Sequence, residues 1–249
     1  MIPSNYHTHT SFCDGKHTPE EMVLEAIRLG CSQIGFSGHS YTFFDESYCM
    51  SKENTKAYVA AVKAAQEKYG DKIKIWLGIE QDYYSEESTD GYDYVIGSVH
   101  YVKKDGMYLS VDSSRNDPLK YVQAYYGGDV YSFVEDYYGA VADVYRKTQC
   151  QIIGHFDLIT KFNQDNRLFD PNHPRYQAAV NKALDALLDT PAILEVNTGA
   201  ISRGYTDAPY PARDILERWR AAGKEIIFSS DCHSKEHLLF GYDLYQAIL

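Results

Sequence analysis

The stretch that decides the fold is TPEEMVLEAIRLGCSQIGFSGH, residues 18–39, because it contains one complete helix followed by one strand. Thr18 and Glu21 have the spacing of a capping box, in which each side chain bonds the backbone of the other residue at a helix start. Gly30 is placed to end that helix. The apolar run that follows predicts a buried strand that ends at His39.

The same unit of helix and strand recurs along the chain of 249 residues. Seven apolar stretches are predicted to contain strands, in chain order residues 4–9, 32–39, 72–83, 92–102, 150–158, 192–199 and 224–233. Helical patterns separate them at residues 18–29, 53–69, 118–126, 131–147, 174–188 and 211–222, and a short helix is predicted from residue 236. Alternation of this kind predicts parallel strands joined by helical crossovers. A hairpin turn is also predicted at residues 104–106, with the chain returning over 107–111.

Two architectures fit seven parallel strands, an open doubly wound sheet and a barrel. The standard α/β barrel has eight strands and a length of about 250 residues. Because only seven strands are predicted, we expect an α/β fold with a distorted seven-stranded (β/α)7 barrel of the TIM type. A chain of this length fits one such domain, which we assign to residues 1–249.

The composition narrows the classes of partner and compartment. The net charge of −11 disfavours a nucleic-acid partner, because an acidic surface repels phosphate backbones. The five cysteines are odd in number and form no C-x-x-C pair, which is typical of a reduced, cytoplasmic protein. No apolar run reaches the ~18 residues that a membrane span needs. We therefore expect a cytoplasmic protein without a membrane or nucleic-acid partner, and a monomer by default.

Polar residues are concentrated at the carboxyl ends of the predicted strands. In a parallel α/β barrel these ends form one rim, where active sites are built. We therefore expect the side chains to converge in space, although each histidine alone is more often a hydrogen-bonded rim residue than a ligand. Eight such residues come from six predicted strands: His7, His9, His39, Glu80, His100, His155, Asp231 and His233.

This set of donors indicates a catalytic site for divalent metal ions. Imidazoles and carboxylates without thiolates are typical of catalytic rather than structural metal sites. At roughly four ligands per Zn²⁺, the set is large enough for two or three ions if a carboxylate bridges. Such a cluster activates water and clamps phosphoryl oxygens. A serine hydrolase is disfavoured because no G-x-S-x-G motif occurs.

The sequence around these residues resembles the PHP (polymerase and histidinol phosphatase) domain family. The runs that carry the resemblance are YHTHTSFCDG, GFSGH, GIEQDY, GSVHYV, IGHFDL and FSSDCH, which span residues 6–233 in the order of the family's metal-binding motifs. GSVH and IGHFDL are most similar to the histidinol-phosphate phosphatases of histidine biosynthesis. The resemblance implies a distorted barrel with a trinuclear metal centre.

Carried over motif by motif, the resemblance implies a ligand set for three ions, which we take as Zn²⁺, Mn²⁺ or Fe²⁺. The first ion is expected on His7, His9, Glu80 and Asp231, the second on Glu80, His100 and His155, and the third on His39, His233 and Asp14. His17 is the alternative to Asp14. One departure is Asn5, since family members commonly have Asp two residues before the first histidine, and a neutral side chain weakens any charge that supports His7.

The expected reaction is hydrolysis of L-histidinol phosphate to L-histidinol and phosphate. A hydroxide that bridges the first two ions would attack phosphorus in line, and Asp231 or His233 would protonate the leaving alkoxide. Arg203 and Lys161 are the candidate phosphate contacts, with a solvated surface cation as the alternative for both. Acceptors for the substrate's amine and imidazole are sought in the loop YTFFDESY, which carries Asp45 and Glu46.

Two competing functions remain open at the level of sequence. One is another phosphoesterase on the same scaffold that acts on nucleotides or other small phosphate esters. The other is a barrel that binds metal or a partner without catalysis, against which the complete ligand set argues.

Overall fold

The computed structural model describes residues 4–245, with side chains up to Asp243. The strands are β1 (Ser4–Asn5), β2 (Gln33–Phe36), β3 (Lys74–Asp82), β4 (Tyr94–Ser98), β5 (Tyr101–Lys104), β6 (Met107–Ser110), β7 (Ile152–Ile153), β8 (Ile193–Asn197) and β9 (Ile226–Ser229). The helices are α1 (Pro19–Arg28), α2 (Lys52–Tyr69), α3 (Asp117–Tyr125), α4 (Val130–Thr148), α5 (Pro174–Leu188), α6 (Gly199–Ser202), α7 (Arg213–Ala221) and α8 (Tyr242–Tyr245).

Seven parallel strands form a nearly closed barrel, which confirms the predicted fold class. Their order follows the chain, β1-β2-β3-β4-β7-β8-β9, and helices such as α1, α2 and α4 pack against the strands. The two ends of the sheet meet in a parallel bridge between Thr8 and Cys232. His9 donates its backbone N–H to the Cys232 carbonyl at 2.9 Å. The open doubly wound alternative is therefore wrong, because its outer strands would lie far apart.

Local signals in the sequence place two of the elements correctly. Thr18 and Glu21 form the predicted capping box at the start of α1. Gly30 follows that helix with φ of +74°, a conformation that glycine adopts without strain. The predicted hairpin is the antiparallel pair β5–β6, whose turn has positive φ at Asp105 and Gly106.

Other boundaries differ from the prediction for identifiable reasons. Of the predicted first strand, 4–9, only Ser4–Asn5 pairs regularly, and Thr8 adds the bridge that closes the barrel. The last barrel strand ends at Ser229, before the chain turns at Asp231 with φ of +46°. Pro211 lies before α7 rather than in it, because Asn197 pairs with Tyr210 in an antiparallel bridge. The predicted helix from residue 236 is a 3-10 turn followed by α8, and residues after 245 lie outside the described range.

Tyr94 is the largest residue of an apolar cluster that fills the barrel interior. Tyr94, Ile96 and Ile152 form a small buried cluster inside the barrel, separate from the main core beneath the helices. The Tyr94 hydroxyl lies within hydrogen-bond distance of the Tyr6 and Phe36 carbonyl oxygens. A Cβ on Gly78 would lie 2.3 Å from the Tyr94 ring, so glycine is required there. Gly78 and Glu80 are successive inward-facing positions on β3, so Glu80 lies directly above Tyr94.

Gly78→Ala is expected to destabilise the fold by about 1–3 kcal/mol, the usual cost of overpacking a filled core. The matched control is Gly139→Ala, at an exposed position within α4 where an added Cβ meets no described atom within 4 Å. That control should be neutral or stabilise the fold by about 0.5–1 kcal/mol, because alanine favours helix. Urea unfolding of both variants measures the difference; equal stabilities would show that Tyr94 does not constrain Gly78.

A buried carboxyl connects the segment after β7 to the start of α7. Asp157 is 1% exposed, and its Oδ2 accepts the Ala212 backbone N–H at 2.8 Å. Its Oδ1 has no hydrogen-bond partner within the described range. Burial raises the pKa of Asp157 to about 7, although the Ala212 N–H opposes the shift. The folded protein therefore holds this proton more tightly than the unfolded chain does.

Asp157→Asn is expected to remove one component of the pH dependence of stability. Because the folded pKa is raised, the stability that this carboxyl contributes is complete below about pH 4 and is lost as pH rises to about 7. The slope is at most about 1.4 kcal/mol per pH unit. Urea unfolding in the presence of chelator, from pH 5 to pH 8, should show the difference between parent and variant falling with pH. Parallel curves would contradict the raised pKa.

Candidate metal centre

The structure brings the nine predicted metal ligands together at the carboxyl end of the barrel. They form four overlapping groups, within each of which the donor atoms lie less than 4.8 Å apart. The groups are His7, Glu80 and His155; His7, His9 and Asp231; His39, Glu80 and His100; and His9, Asp14, His39 and His233.

Glu80 is the centre of this cluster. It is 1% exposed, and its two carboxylate oxygens are approached by five imidazoles. The contacts to Oε2 are His39 at 2.8 Å, His7 at 3.3 Å and His9 at 3.6 Å; those to Oε1 are His155 at 2.9 Å and His100 at 3.4 Å. Each oxygen thus faces a different set of histidines, which is the arrangement that a bridging carboxylate requires.

The outer part of the cluster includes Asp14. The Asp14 carboxylate lies 3.1 Å from His233 Nε2 and 3.7 Å from both His9 and His39. The alternative residue, His17, lies outside the cluster, and its Nδ1 accepts the Lys235 backbone N–H at 3.2 Å. An added Cβ on Gly15 would collide with the backbone of residues 9 and 10, so this loop folds tightly behind Asp14. Loop geometry thus favours Asp14 over His17.

Unsatisfied atoms show that the donor set fits divalent cations. His7 Nε2, His9 Nε2 and Glu80 Oε2 are buried, and none has a hydrogen-bond partner among residues 4–245. Leaving a buried polar atom unpaired costs about 1–3 kcal/mol. Nitrogen and carboxylate donors of this kind match Zn²⁺, Mn²⁺ and Fe²⁺. Several such atoms pointing to one place are therefore best explained by cations.

The ionisation of the cluster reflects its crowding. Burial would raise the pKa of Glu80, but His39, His7 and His100 outweigh it and hold that pKa well below its usual value. Burial lowers the pKa of His9 to about 3, and the neighbouring His233 and His39 add to the shift. A neutral His9 beside an ionised Glu80 is the protonation state in which both can bind a cation.

Backbone features position the last ligands. Asp231 has φ of +46°, in the left-handed region that few non-glycine residues adopt. Asp231 also packs so closely on Gly199 that a Cβ there would lie 2.6 Å from the carboxylate Oδ2. His9 Nε2 lies 3.2 Å from Asp231 Oδ1. The first and last segments of the barrel therefore meet at the cluster.

The two predicted phosphate contacts both line the pocket above the cluster. Arg203 donates from Nη1 to the Asp231 carbonyl at 2.8 Å, and the same nitrogen lies 2.9 Å from His233 Nδ1. Lys161 is buried, and its ammonium donates to the carboxylate and the carbonyl of Asp112 at 3.0 Å each. Arg203 thus lies against the cluster, whereas the charge of Lys161 is already paired.

Sequence reasoning missed the carboxylates that support the ligands from behind. Glu195 Oε1 lies 2.6 Å from His7 Nδ1, and Asp82 Oδ2 lies 3.1 Å from His100 Nδ1. The expected weakness at Asn5 is therefore compensated, because Glu195 provides the charge behind His7. Asn5 instead donates to the His7 carbonyl and to Ser230. The sequence offered one signal for this role, the charged Glu195 within the apolar run of β8.

The pocket over the cluster has a volume of about 360 Å³. Besides the ligands and Arg203, it is lined by two further carboxylates, Asp45 and Asp112. Asp45 accepts the Tyr101 hydroxyl at 2.7 Å. Although burial opposes it, hydrogen bonds from Ser47 and Tyr101 lower the pKa of Asp45, which keeps its negative charge. The pocket thus offers both positive and negative groups.

Across residues 4–245, none of the helices combines the length and the apolarity needed to cross a membrane.

Two solved structures resemble this fold at low sequence identity. The hisK protein of Listeria monocytogenes superposes with a TM-score of 0.81 at 22% identity, covering 98% of this chain and 100% of that one. Histidinol phosphate phosphatase of Lactococcus lactis, complexed with zinc, L-histidinol and phosphate, gives a TM-score of 0.69 at 20% identity, covering 98% and 91%. At these identities the likeness shows the shared fold.

Sequence relatives and a family profile extend this likeness. A probable histidinol-phosphatase of Deinococcus radiodurans is 28% identical over 247 residues, which cover 95% of this chain and 88% of that protein. Histidinol-phosphatase of Lactococcus lactis is 26% identical over 250 residues, covering 94% and 85%. The family model of the PHP domain matches residues 5–199, well over half of the chain, and the chain therefore belongs to the PHP domain family.

Proposed function

We propose that this protein is a metal-dependent phosphomonoesterase that hydrolyses L-histidinol phosphate to L-histidinol and phosphate, a reaction of histidine biosynthesis. The observation that carries the proposal is a nine-residue cluster of proposed ligands facing a pocket that also contains Arg203 and the carboxylates Asp45 and Asp112. The names of the Deinococcus and Lactococcus relatives support this substrate. So does the L-histidinol and phosphate bound in the Lactococcus structure.

The proposal includes three divalent ions, Zn²⁺, Mn²⁺ or Fe²⁺ according to supply. Their proposed ligands are those carried over from the family motifs, with Glu80 shared between two ions and Asp14 in the third set. When bound, the ions would polarise the phosphoryl oxygens and generate a nucleophile from water at neutral pH. Zinc in the Lactococcus structure supports this choice of metals.

The side chains of this chain bind the substrate and handle its protons. Arg203 presents its guanidinium beside Asp231 and His233, where it can donate to a phosphoryl oxygen. Asp231 or His233 is the proposed donor of the proton that the leaving alkoxide takes up. Lys161 is proposed to act on the phosphate side of the pocket while it remains paired with Asp112.

The negative side of the pocket matches the end of the proposed substrate that carries the amine and the imidazole. L-Histidinol phosphate carries an amine and an imidazole, both of which accept protons and favour a nearby carboxylate. Asp45 provides that charge within the same cavity as the ligand cluster, whereas the charge of Asp112 is paired with Lys161. A nucleotide base lacks such a cation at neutral pH, so Asp45 favours the amino-alcohol ester over the nucleotide alternative.

We also propose that residues 1–249 act as one catalytic domain in a reducing cytoplasm. No disulfide joins any of the five cysteines in the described part of the chain, which supports that setting.

The central test is phosphate release from L-histidinol phosphate, compared with nucleoside monophosphates and p-nitrophenyl phosphate, with and without chelator. His100→Ala should lower turnover by about 10³-fold, because a phosphoryl clamp worth several kcal/mol depends on the ligand set. His237→Ala is the matched control, since His237 packs on Phe240 outside the cluster and should retain activity. A folded His100→Ala variant with full activity would refute the assignment, and so would a preference for nucleotides.

Asp45→Asn is expected to change the choice of substrate rather than the chemistry. Removing this charge should lower kcat/KM for L-histidinol phosphate by about 5- to 10-fold, the value of one partly solvated charge pair. Hydrolysis of p-nitrophenyl phosphate, which has no amine, should stay within about twofold. Glu46→Gln is the control, because Glu46 is exposed and bonds Tyr41 instead of lining the pocket. Equal losses on both substrates would reject Asp45 as a contact of the cationic end.

A further inference from the structure

Glu195 is the most deeply buried carboxylate that touches the ligand cluster without being one of the predicted ligands. Its exposed fraction is 0%, and the exposed fraction of His7, its partner, is also 0%. It lies on β8, and neither this strand nor the segment directly after it contributes a predicted metal ligand. A buried charge in such a position is costly unless every oxygen is used.

One oxygen of Glu195 fixes the orientation of the His7 ring. Oε1 lies 2.6 Å from His7 Nδ1, and a carboxylate can only accept, so His7 carries its ring proton on Nδ1. When the ring is neutral, as a histidine that binds a cation must be, Nε2 carries the lone pair. It lies 3.3 Å from Glu80 and has no hydrogen-bond partner in the region from residue 4 to residue 245. Glu195 therefore presents Nε2 to the place where Glu80 points.

The other oxygen of Glu195 holds two more parts of the cluster. Oε2 accepts the His155 backbone N–H at 2.9 Å and the Asn197 side-chain amide at 2.9 Å. The same Asn197 amide lies 3.3 Å from Asp231 Oδ2. A single carboxylate thus connects His7, His155 and, through Asn197, Asp231, which come from the first, fifth and seventh barrel strands.

We propose that Glu195 is a positioning residue that sets the metal affinity of the His7 side of the cluster. It locks the His7 tautomer, and its negative charge makes that imidazole a stronger donor. The role explains how the chain tolerates a neutral Asn5. The inference rests on the metal centre of the proposed function, but it concerns binding of the ions and is independent of the substrate.

A purely structural role for Glu195 makes a different prediction. If the carboxylate only braced the barrel, its loss would lower the stability of the metal-free fold and leave the ligand field of a bound ion unchanged. A positioning role changes the affinity and the coordination geometry. The two are separable because both can be measured without any phosphate ester.

The test is zinc binding by Glu195→Gln, a variant of the same shape without the charge. Metal-free protein is titrated with Zn²⁺ against a chromophoric chelator, and a parallel sample is loaded with Co²⁺ and its visible absorption recorded. The affinity of at least one zinc site should fall by about 10- to 100-fold. The Co²⁺ bands should shift in position or intensity, because a neutral amide replaces the anionic acceptor of the His7 Nδ1 proton.

Asp157→Asn is the matched control, since it also converts a buried rim carboxyl to an amide but contacts no predicted ligand side chain. It should retain parental zinc affinity and Co²⁺ absorption. If Glu195→Gln does not fold without metal, Glu195→Asp is measured instead; its retracted carboxylate should lower zinc affinity in the same direction. Parental zinc affinity and an unchanged Co²⁺ spectrum in the Glu195 variant would overturn the proposal.

The same samples separate this inference from the proposed function. Loss of zinc affinity in Glu195→Gln supports the positioning role even if the parent protein releases no phosphate from L-histidinol phosphate, a result that would reject only the substrate. A parent that binds none of Zn²⁺, Mn²⁺ and Fe²⁺ would overturn both.

Discussion

The carboxylate of Glu80, buried among five imidazoles at the mouth of the barrel, is the interaction on which the rest of the site depends. A lone charge in that position would be expelled or protonated, because desolvation opposes it strongly. It stays ionised because the strands deliver His39, His7 and His100 close enough to outweigh the desolvation. The geometry of parallel strands thus creates a concentration of donors that no short peptide segment could hold. Cations bound there would satisfy the buried polar atoms that have no hydrogen-bond partner.

The sequence predicts those parts of the site that depend on strand ends. Alternating strands and helices, with His39, Glu80 and His155 near strand ends, are sufficient to expect convergence, because a parallel barrel has one active rim. The contacts of Glu195 and Asp82 with the histidines could not be predicted in this way. They depend on which face of the strand each carboxylate occupies and on the register with the neighbouring strands. The choice of Asp14 over His17 depended on a loop turn, and the pairing of Lys161 with Asp112 joins segments 49 residues apart.

Membership of the PHP family and the geometry of the pocket are independent arguments that agree. The family motifs account for the proposed metal ligands, whereas the pocket supports the proposed ester through groups that lie outside the ligand set. Arg203 and Asp45 carry opposite charges in one cavity, which suits a substrate with a phosphate and a protonated amine. The acidic overall charge of −11 works against polyanionic partners and is consistent with a small substrate.

Tyr94, inside the barrel, determines the route by which substrate and products enter and leave the site. Tyr94 and the apolar residues around it fill the space beside Gly35 and Gly78, so the site is accessible only from the carboxyl end of the barrel. In the proposed reaction the phosphate ester enters at the carboxyl end of the barrel, and both products leave by the same end. With the phosphate held against the cations as proposed, the alcohol would be the fragment free to leave first, and departure of inorganic phosphate would clear the site for the next turnover.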